Sequence, residues 1–274
     1  MATALLIADL EGICGVDDAV DLAFGGQGHA RACARMTAEV ARVAGALREA
    51  GYETVRVSDS HRSGSGEANV DAGALPPGAT LYLLDDPYAP ELFDGVNAVA
   101  CVGMHAAGGT RGFGAHTVQV HCAVRAGFRL LSETDLVLGL AHDARARVLF
   151  VSGDDVLGRS LSPQIPYLCT KRAVSVRTAR SAPTAGVGQA LRKLARPPGV
   201  PAPPPPNGPL ALHFKPGLGA GGQHVHGPNF RARYSAALAA IDASSDALLA
   251  HLAGAPGTAG FAQSAARLLA AGWK

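Results

Sequence analysis

The chain has 274 residues, of which 48% are hydrophobic and 17% are charged, a balance typical of a globular protein rather than a disordered one. Its formal net charge is only +2 at pH 7 and its Lys and Arg residues are scattered, so we expect neither nucleic acid nor an acidic membrane surface as a partner. The length is compatible with one large α/β domain or with two modest domains.

The cysteines and the apolar runs indicate where the protein resides. There are five cysteines, an odd number, and none belongs to a Cys-x-x-Cys pair, which favours reduced thiols over a disulfide framework or a thiolate zinc site. No apolar stretch reaches the roughly 20 residues needed to cross a bilayer. Asp9 and Glu11 interrupt the apolar run near the N-terminus, unlike in a signal peptide. We therefore expect a cytoplasmic protein.

The first elements of the chain alternate between strand and helix. Residues 4–8 form a short apolar run typical of a strand buried on both faces. Residues 28–50 carry apolar side chains at helical spacing, and Gly51 follows as a stop signal. Residues 54–57 then predict a second strand. A strand, a helix and a strand in this order favour a right-handed parallel crossover.

The later elements extend the same pattern. Residues 80–84, 98–102 and 148–152 are further predicted strands, alternating with helical or loop segments. Residues 117–124 and 128–131 flank an Arg-Ala-Gly turn and predict a hairpin inserted into the sheet or placed at its edge. The sequence thus predicts an α/β fold with a mostly parallel open sheet, flanked by helices and carrying an inserted hairpin.

A segment rich in proline, residues 197–209, is the clearest boundary in the chain and is predicted to be a stiff extended linker. It separates an α/β domain over residues 1–196 from a smaller C-terminal α/β part over residues 210–274, which we expect to serve in oligomerisation. The elements predicted near the linker are a helix at 183–195, a strand at 210–214, a glycine-rich stretch at 217–222 and Ala-rich helices after Phe230.

Three predicted strands deliver metal-binding side chain types at their carboxyl ends. Asp9 and Glu11 follow the first strand, and residues two apart in an extended chain project the same way. His61 follows the second strand, and His105 follows the strand at 98–102. A lone Asp-x-Glu pair is more often a solvated turn, and a lone histidine is more often structural. Three coincident placements at the edge where open parallel sheets bind ligands favour a site.

Glu133, just after a short apolar run, adds a further carboxylate. Two histidines with three carboxylates suit zinc or manganese, and zinc is our first choice. Five side chains exceed the usual three protein ligands of one catalytic zinc, but they serve two ions about 3.5–4 Å apart if one carboxylate bridges them. Asp9 is the natural bridge. Two zinc ions per subunit would activate a shared water and polarise a carbonyl, so the predicted domain over residues 1–196 is a metal-binding catalytic domain suited to hydrolysis.

The remaining histidines and one acidic pair are assigned by context. His116 follows a glycine-rich loop and is predicted to act as an acid, a base or a transition-state stabiliser, with a further ligand or loop solvation as alternatives. His121 is predicted to be structural. His224 and His226 have no nearby carboxylate and are predicted to be solvated or to contact another subunit. Asp154, or the aspartate after it, is predicted to cap the next helix.

The ordered motifs resemble those of the DppA-type family of zinc-dependent D-aminopeptidases. The resemblance covers about residues 4–185. The matching motifs are Asp9-Leu10-Glu11-Gly12, Ser58-Asp59-Ser60-His61, Gly103-Met104-His105-Ala106, Ala115-His116-Thr117 and Val151-Ser152-Gly153-Asp154-Asp155. By this resemblance, the ligands of two zinc ions are Asp9, Glu11, His61, His105 and Glu133. The catalytic residue is then His116.

The resemblance also implies a homo-oligomer, a ring-shaped decamer whose sites face an internal cavity, and substrates that are short peptides with an N-terminal D-residue. The chain departs from the family around Glu133, where Ser132 precedes it and Thr134 and Asp135 follow it, while the family tends to have Gly-Glu-Gly-Asn. Because polar groups of a pocket decide which substrate is accepted, this departure predicts altered substrate docking.

Three alternatives to a D-aminopeptidase stay open from the sequence. The first is a related amidase that acts on a specialised small amide. The second is a non-catalytic metal-binding assembly protein with the same fold. The third, a doubly wound nucleotide-binding protein, is disfavoured because no glycine fingerprint follows the first strand.

Overall fold

The computed structural model describes residues 2–62, 67–219, 222–253 and 257–270. The first elements are β1 (Thr3–Ala8), α1 (His29–Glu49), β2 (Thr54–Asp59), β3 (Ala79–Tyr82) and β4 (Ala98–Met104). The central elements are β5 (Cys122–Ala126), β6 (Arg129–Leu131), α2 (Glu133–Asp143), β7 (Arg147–Asp154), α3 (Asp155–Ser160), β8 (Tyr167–Ala173), β9 (Ala179–Ser181) and α4 (Thr184–Leu194). The last elements are β10 (Val200–Pro201), β11 (Leu210–Phe214), β12 (Gln223–Val225), α5 (Phe230–Asp242), α6 (Ser245–Ala253) and α7 (Gly257–Ala270).

The main sheet of the described residues has eight strands. Seven follow the order β3-β2-β1-β4-β7-β8-β9, and β10 pairs with β7 outside this path. The pairs β1–β2, β1–β4, β2–β3, β4–β7 and β7–β8 are parallel, while β8–β9 and β7–β10 are antiparallel. The predicted fold class, a mostly parallel open sheet flanked by helices, is confirmed.

Both faces of the sheet are buried, because successive strand residues alternate between two apolar clusters. Leu5 and Ile7 of β1 belong to the cluster formed with α2 and α5. Leu6 and Ala8 belong to the cluster formed with α1 and α4. This double burial explains why β1 is continuously apolar and leaves its carboxyl end as the place where polar side chains begin.

Helix α1 agrees closely with the sequence pattern. Helix α1 spans His29–Glu49 and buries the apolar stripe predicted for residues 28–50. Gly51 follows it with a φ of +96°, a left-handed conformation that glycine adopts without steric cost at a helix end. None of the described helices combines the length and apolar character required to cross a membrane.

The predicted hairpin forms, but it lies in a different sheet from the one expected. Strands β5 and β6 belong to a four-stranded antiparallel sheet with the order β12-β11-β5-β6. Strand β11 pairs with β5 along its whole length and buries Leu210, Leu212 and Phe214. The hairpin therefore pairs with β11, from the C-terminal part of the chain, and not with a strand of the main sheet.

The proline-rich segment runs beside the main sheet. Val200 of β10 pairs with Val148 of β7, and His142 of α2 contacts the Ala202 carbonyl oxygen through Nδ1 at 3.0 Å. The division into domains at residues 196 and 210 stays a prediction. Of the predicted glycine-rich stretch at 217–222, residues 220 and 221 lie outside the described residues.

Candidate metal centre

The candidate site lies at the carboxyl ends of three adjacent parallel strands. Ala8 of β1 is opposite Asp59 of β2 and Val102 of β4, so the residues that follow these strands share one edge of the sheet. Gly103, near the end of β4, lets this strand pass close to the backbone of Asp9. Its φ is +76°, and a Cβ atom there would lie 2.0 Å from the Asp9 carbonyl oxygen. Only glycine therefore fits beside Asp9 in this conformation.

The structure brings all six predicted site residues together, and they are buried or nearly so. Two groups of three have ligand atoms within 4.8 Å of one another, and Asp9 belongs to both. The first group is Asp9, Glu11 and His61, and the second is Asp9, His105 and Glu133. A third group consists of Glu11, His105 and His116. Asp9 is thus the residue shared by the two groups that together contain all five predicted ligands, while Glu11 and His105 each also belong to the third group.

His61 is oriented by the backbone. Its Nε2 lies 2.6 Å from the Leu22 carbonyl oxygen, which can only accept, so Nε2 carries the proton of the neutral ring. Nδ1 then faces the carboxylates, 2.9 Å from Glu11 Oε2 and 3.7 Å from Asp9 Oδ1. A hydrogen bond that fixes the tautomer in this way is typical of metal-binding histidines.

His105 is also oriented by a backbone carbonyl oxygen, but here Nδ1 makes that contact and Nε2 faces the carboxylates. Its Nδ1 lies 2.9 Å from the Ala106 carbonyl oxygen and donates to it. Its Nε2 lies 3.3 Å from Asp9 Oδ2 and 3.7 Å from Glu133 Oε1. Among the described residues, His105 Nε2 and Asp9 Oδ2 are buried without a hydrogen-bond partner. Because buried polar atoms are normally satisfied, these two atoms fit a bound cation.

Glu133 is positioned by a helix cap and by two hydrogen bonds. Ser132 caps α2 in a capping box with Asp135, which places Glu133 at the first helical position. The helix dipole stabilises a carboxylate there. Glu133 Oε1 accepts a hydrogen bond of 2.8 Å from the Val118 amide, and Oε2 accepts one from the Tyr88 hydroxyl. Ser132 and Asp135 therefore position the start of α2, and Val118 and Tyr88 orient the Glu133 carboxylate.

Asp154 supports the loop that carries His105, in keeping with the predicted capping role. Its Oδ1 accepts hydrogen bonds of 2.7 Å from the amides of Val156 and Leu157 at the start of α3. Its Oδ2 accepts one of 3.1 Å from the Ala106 amide. One carboxylate therefore connects the end of β7 to the residue next to His105.

His116 stacks on His105, with the ring centroids 4.3 Å apart and the planes at 19°. Its Nδ1 lies 2.7 Å from the Gly114 carbonyl oxygen, and its Nε2 lies 3.4 Å from Glu133 Oε1. The Gly114 contact leaves the Nε2 lone pair of a neutral ring facing the centre. That arrangement suits a proton acceptor and also a further ligand.

The other histidines lie elsewhere. His121 is buried, with Nε2 2.8 Å from Ser244 Oγ, as expected of a structural residue. His224, on β12, and His226 are exposed. Tyr88 could not be predicted as a site residue, because it follows a proline in a loop and reaches Glu133 only in the folded chain.

Burial and mutual charge perturb the acidic groups strongly. Burial, with Glu11 nearby, raises the pKa of Asp9 well above its usual range. Burial also raises the pKa values of Glu11 and Glu133, but nearby histidines outweigh it. His61 holds the pKa of Glu11 well below its usual range. His105 lowers the pKa of Glu133 to about 2. The three carboxylates therefore need positive charge beside them, which a divalent cation supplies well.

A cavity of about 270 Å³ opens from this centre. Glu11, His61, His116 and Glu133 line its inner side. The volume lies just below the roughly 300–1,000 Å³ that is typical of pockets for drug-sized ligands. A small ligand such as a short peptide fits this space.

Comparisons with known proteins show the family of the chain and a similar fold. The profile of a peptidase family, M55, described as D-aminopeptidase, matches residues 3–197. Among solved structures, the chain is similar to the Zn-dependent D-aminopeptidase DppA from Bacillus subtilis, described as a self-compartmentalizing protease, with a TM-score of 0.73 and 20% identity over 88% of this chain and 98% of that chain. No curated protein sequence matches. The chain belongs to the M55 family of D-aminopeptidases.

Proposed function

We propose that this D-aminopeptidase is zinc-dependent, holds two zinc ions per subunit and releases N-terminal D-residues from short peptides or amides. The observation that carries this proposal is the position of Asp9 in two buried groups of ligand atoms. The unpartnered Asp9 Oδ2 and His105 Nε2 add support. The zinc dependence of the solved relative from Bacillus subtilis supports the choice of metal.

Each ion would have its own protein ligands beside the shared carboxylate. Glu11 and His61 would complete one site with Asp9, and His105 and Glu133 would complete the other. When bound, zinc ions supply a Lewis acid for a carbonyl oxygen and lower the pKa of water toward neutrality. The backbone contacts of His61 and His105 keep their ligand nitrogens directed to the centre.

His116 is the proposed catalytic residue. His116 lines the cavity, where its Nε2 can accept a proton from the water that attacks the scissile carbonyl carbon and return it to the amine nitrogen as the C–N bond breaks. The contact with Gly114 holds the ring in place for both transfers. Its position in a group with Glu11 and His105 makes a ligand role the alternative.

The test of this function is metal content per subunit on chelator-free protein, with a screen of D- and L-aminoacyl amides and dipeptides with and without zinc. We expect two zinc ions and metal-dependent cleavage of the D-series. Two ions without cleavage of any substrate would favour a non-catalytic metal-binding assembly protein, and cleavage only of other small amides would favour a related amidase. No bound metal and no activity after zinc addition would contradict the proposal.

Changing Tyr88 to Phe tests how Glu133 is held. The variant is expected to lose about 10–100-fold in zinc affinity or activity, because Glu133 Oε2 loses the hydroxyl that orients it. Zinc titration and kcat/KM measure the effect. Tyr52→Phe, at a buried tyrosine just before β2, is the matched control and should retain both values. Unchanged zinc affinity and kcat/KM in the Tyr88 variant would contradict this role.

We also propose a homo-oligomer, specifically a ring-shaped decamer, located in the cytoplasm. The description of the solved relative as a self-compartmentalizing protease supports an assembly. The five cysteines are free thiols, which suits a reducing compartment. Light scattering of the purified protein tests the assembly, and a mass of ten chains is the expected result. A monomer at all concentrations would contradict it.

A further inference from the structure

The outer wall of the cavity comes from the C-terminal helices. Leu238 of α5, Leu248 and Leu252 of α6, and Leu269 of α7 line the same cavity as His116 and the candidate ligands Glu11, His61 and Glu133. All four leucines lie beyond residue 197, where the match to the M55 family ends. The family core therefore supplies the reacting groups, and this part of the chain supplies the apolar surface that faces them.

The wall is fixed in place by packing. Leu248 and Leu252 are four residues apart on α6, so they share one face of the helix, and they pack with Leu218 and Leu268. Leu249, the residue next to Leu248, is 58% exposed and does not line the cavity.

Helix α7 is bound at its C-terminal end by Lys215, the residue after β11. The buried Lys215 Nζ donates hydrogen bonds to the carbonyl oxygens of Leu268 and Leu269 at the end of this helix. A cation at a helix C-terminus is favourable because the last carbonyl groups lack partners within the helix. This contact keeps Leu269 against the cavity.

The geometry points to this leucine wall as the binding surface for the side chain of the substrate's N-terminal residue. We propose that the enzyme prefers D-residues with apolar, leucine-sized side chains, a proposal that rests on the function proposed above. On the amino side of the scissile bond the substrate has only one residue, so a small closed space suits that side.

Chemistry also favours an apolar side chain. Arg62, Asp85 and Asp242 also line the cavity. A carboxylate side chain placed against the four leucines would nevertheless lose its hydration without gaining a partner from them, which is costly. An apolar side chain gains from the same contact in proportion to the area that it removes from water. Discrimination of about 10–200-fold for each methylene group is within the range of apolar pockets.

The test compares kcat/KM for D-leucyl, D-alanyl and D-aspartyl amides in the zinc-loaded full chain. We expect kcat/KM for the D-leucyl amide to exceed that for the D-aspartyl amide by about tenfold or more.

Leu252→Ala should lower kcat/KM for the D-leucyl amide by about tenfold, while kcat/KM for the D-alanyl amide changes little and zinc content stays constant. Leu249→Ala is the matched control on the same helix and should behave as the unmodified chain. Leu248→Val is a milder second variant in case Leu252→Ala does not fold.

Two results would overturn the wall assignment and leave the D-aminopeptidase function intact. One is equal cleavage of the three amides by the unmodified chain. The other is an equal loss for all three amides in Leu252→Ala or Leu248→Val. Failure to cleave any D-aminoacyl substrate with zinc bound would overturn the proposed function and this proposal together.

Discussion

Replacing Asp9 by asparagine is expected to remove both zinc binding and hydrolysis. The substitution deletes a negative charge and a ligand oxygen at the one residue common to both groups of ligand atoms. An asparagine amide nitrogen facing His105 or His61 cannot coordinate a cation. Loss of several kcal/mol of transition-state stabilisation corresponds to a fall in kcat/KM of about 10²–10⁴. Elemental analysis per subunit and kcat/KM on a D-aminoacyl amide measure the two effects.

The control for this experiment is Asp143→Asn, at an exposed aspartate that ends α2. It should retain the metal content and the activity of the unmodified chain. A folded Asp9→Asn variant that keeps two ions and full activity would show that Asp9 is not the shared ligand. The circular dichroism spectrum establishes that each variant is folded before its metal is counted.

Replacing His116 by alanine is expected to lower kcat by about 10²–10⁴-fold, the usual contribution of a positioned acid or base. Zinc content should stay at the value of the unmodified chain, because Asp9 groups with Glu11 and His61 on one side and with His105 and Glu133 on the other, without His116. Steady-state kinetics and elemental analysis on the same sample separate the two effects.

The outcome for zinc distinguishes the two roles of this histidine. Loss of one ion together with activity would assign His116 as a ligand, through its group with Glu11 and His105. Full activity of the alanine variant would exclude both roles. His224→Ala, at an exposed histidine on β12, is the matched control and should change neither quantity.

The sequence predicted the parallel strands β1, β2, β3, β4 and β7 and the proximity of the side chains that follow β1, β2 and β4, because both depend on local patterns, but it did not predict β8, β9 and β10. A strand buried on both faces is recognisable as an apolar run, and parallel strands necessarily bring their carboxyl ends to one edge. Asp9, His61 and His105 follow such runs directly, and the structure brings them within reach of one another. Their role as zinc ligands stays a prediction.

Contacts between distant segments could not be predicted in the same way. Tyr88 meets Glu133 across 45 residues of sequence, and its loop carries no motif. The pairing of β11 with β5 moved the predicted hairpin into a second sheet, because burial of alternate residues on β11 decided its partner. The leucine wall escaped prediction for a similar reason, since its members lie on three helices whose relative placement no local pattern specifies.

If Asp9 holds two zinc ions as proposed, the two metal equilibria depend on each other. With one ion at Glu11 and His61, Asp9 would offer less negative charge, but a better ordered carboxylate, to a second ion at His105 and Glu133. Whichever effect dominates, each ion must change the affinity of the other by the same factor. Zinc titration of the metal-free chain should therefore depart from two independent binding steps, and the occupancy of the two sites should rise together or in sequence instead of independently.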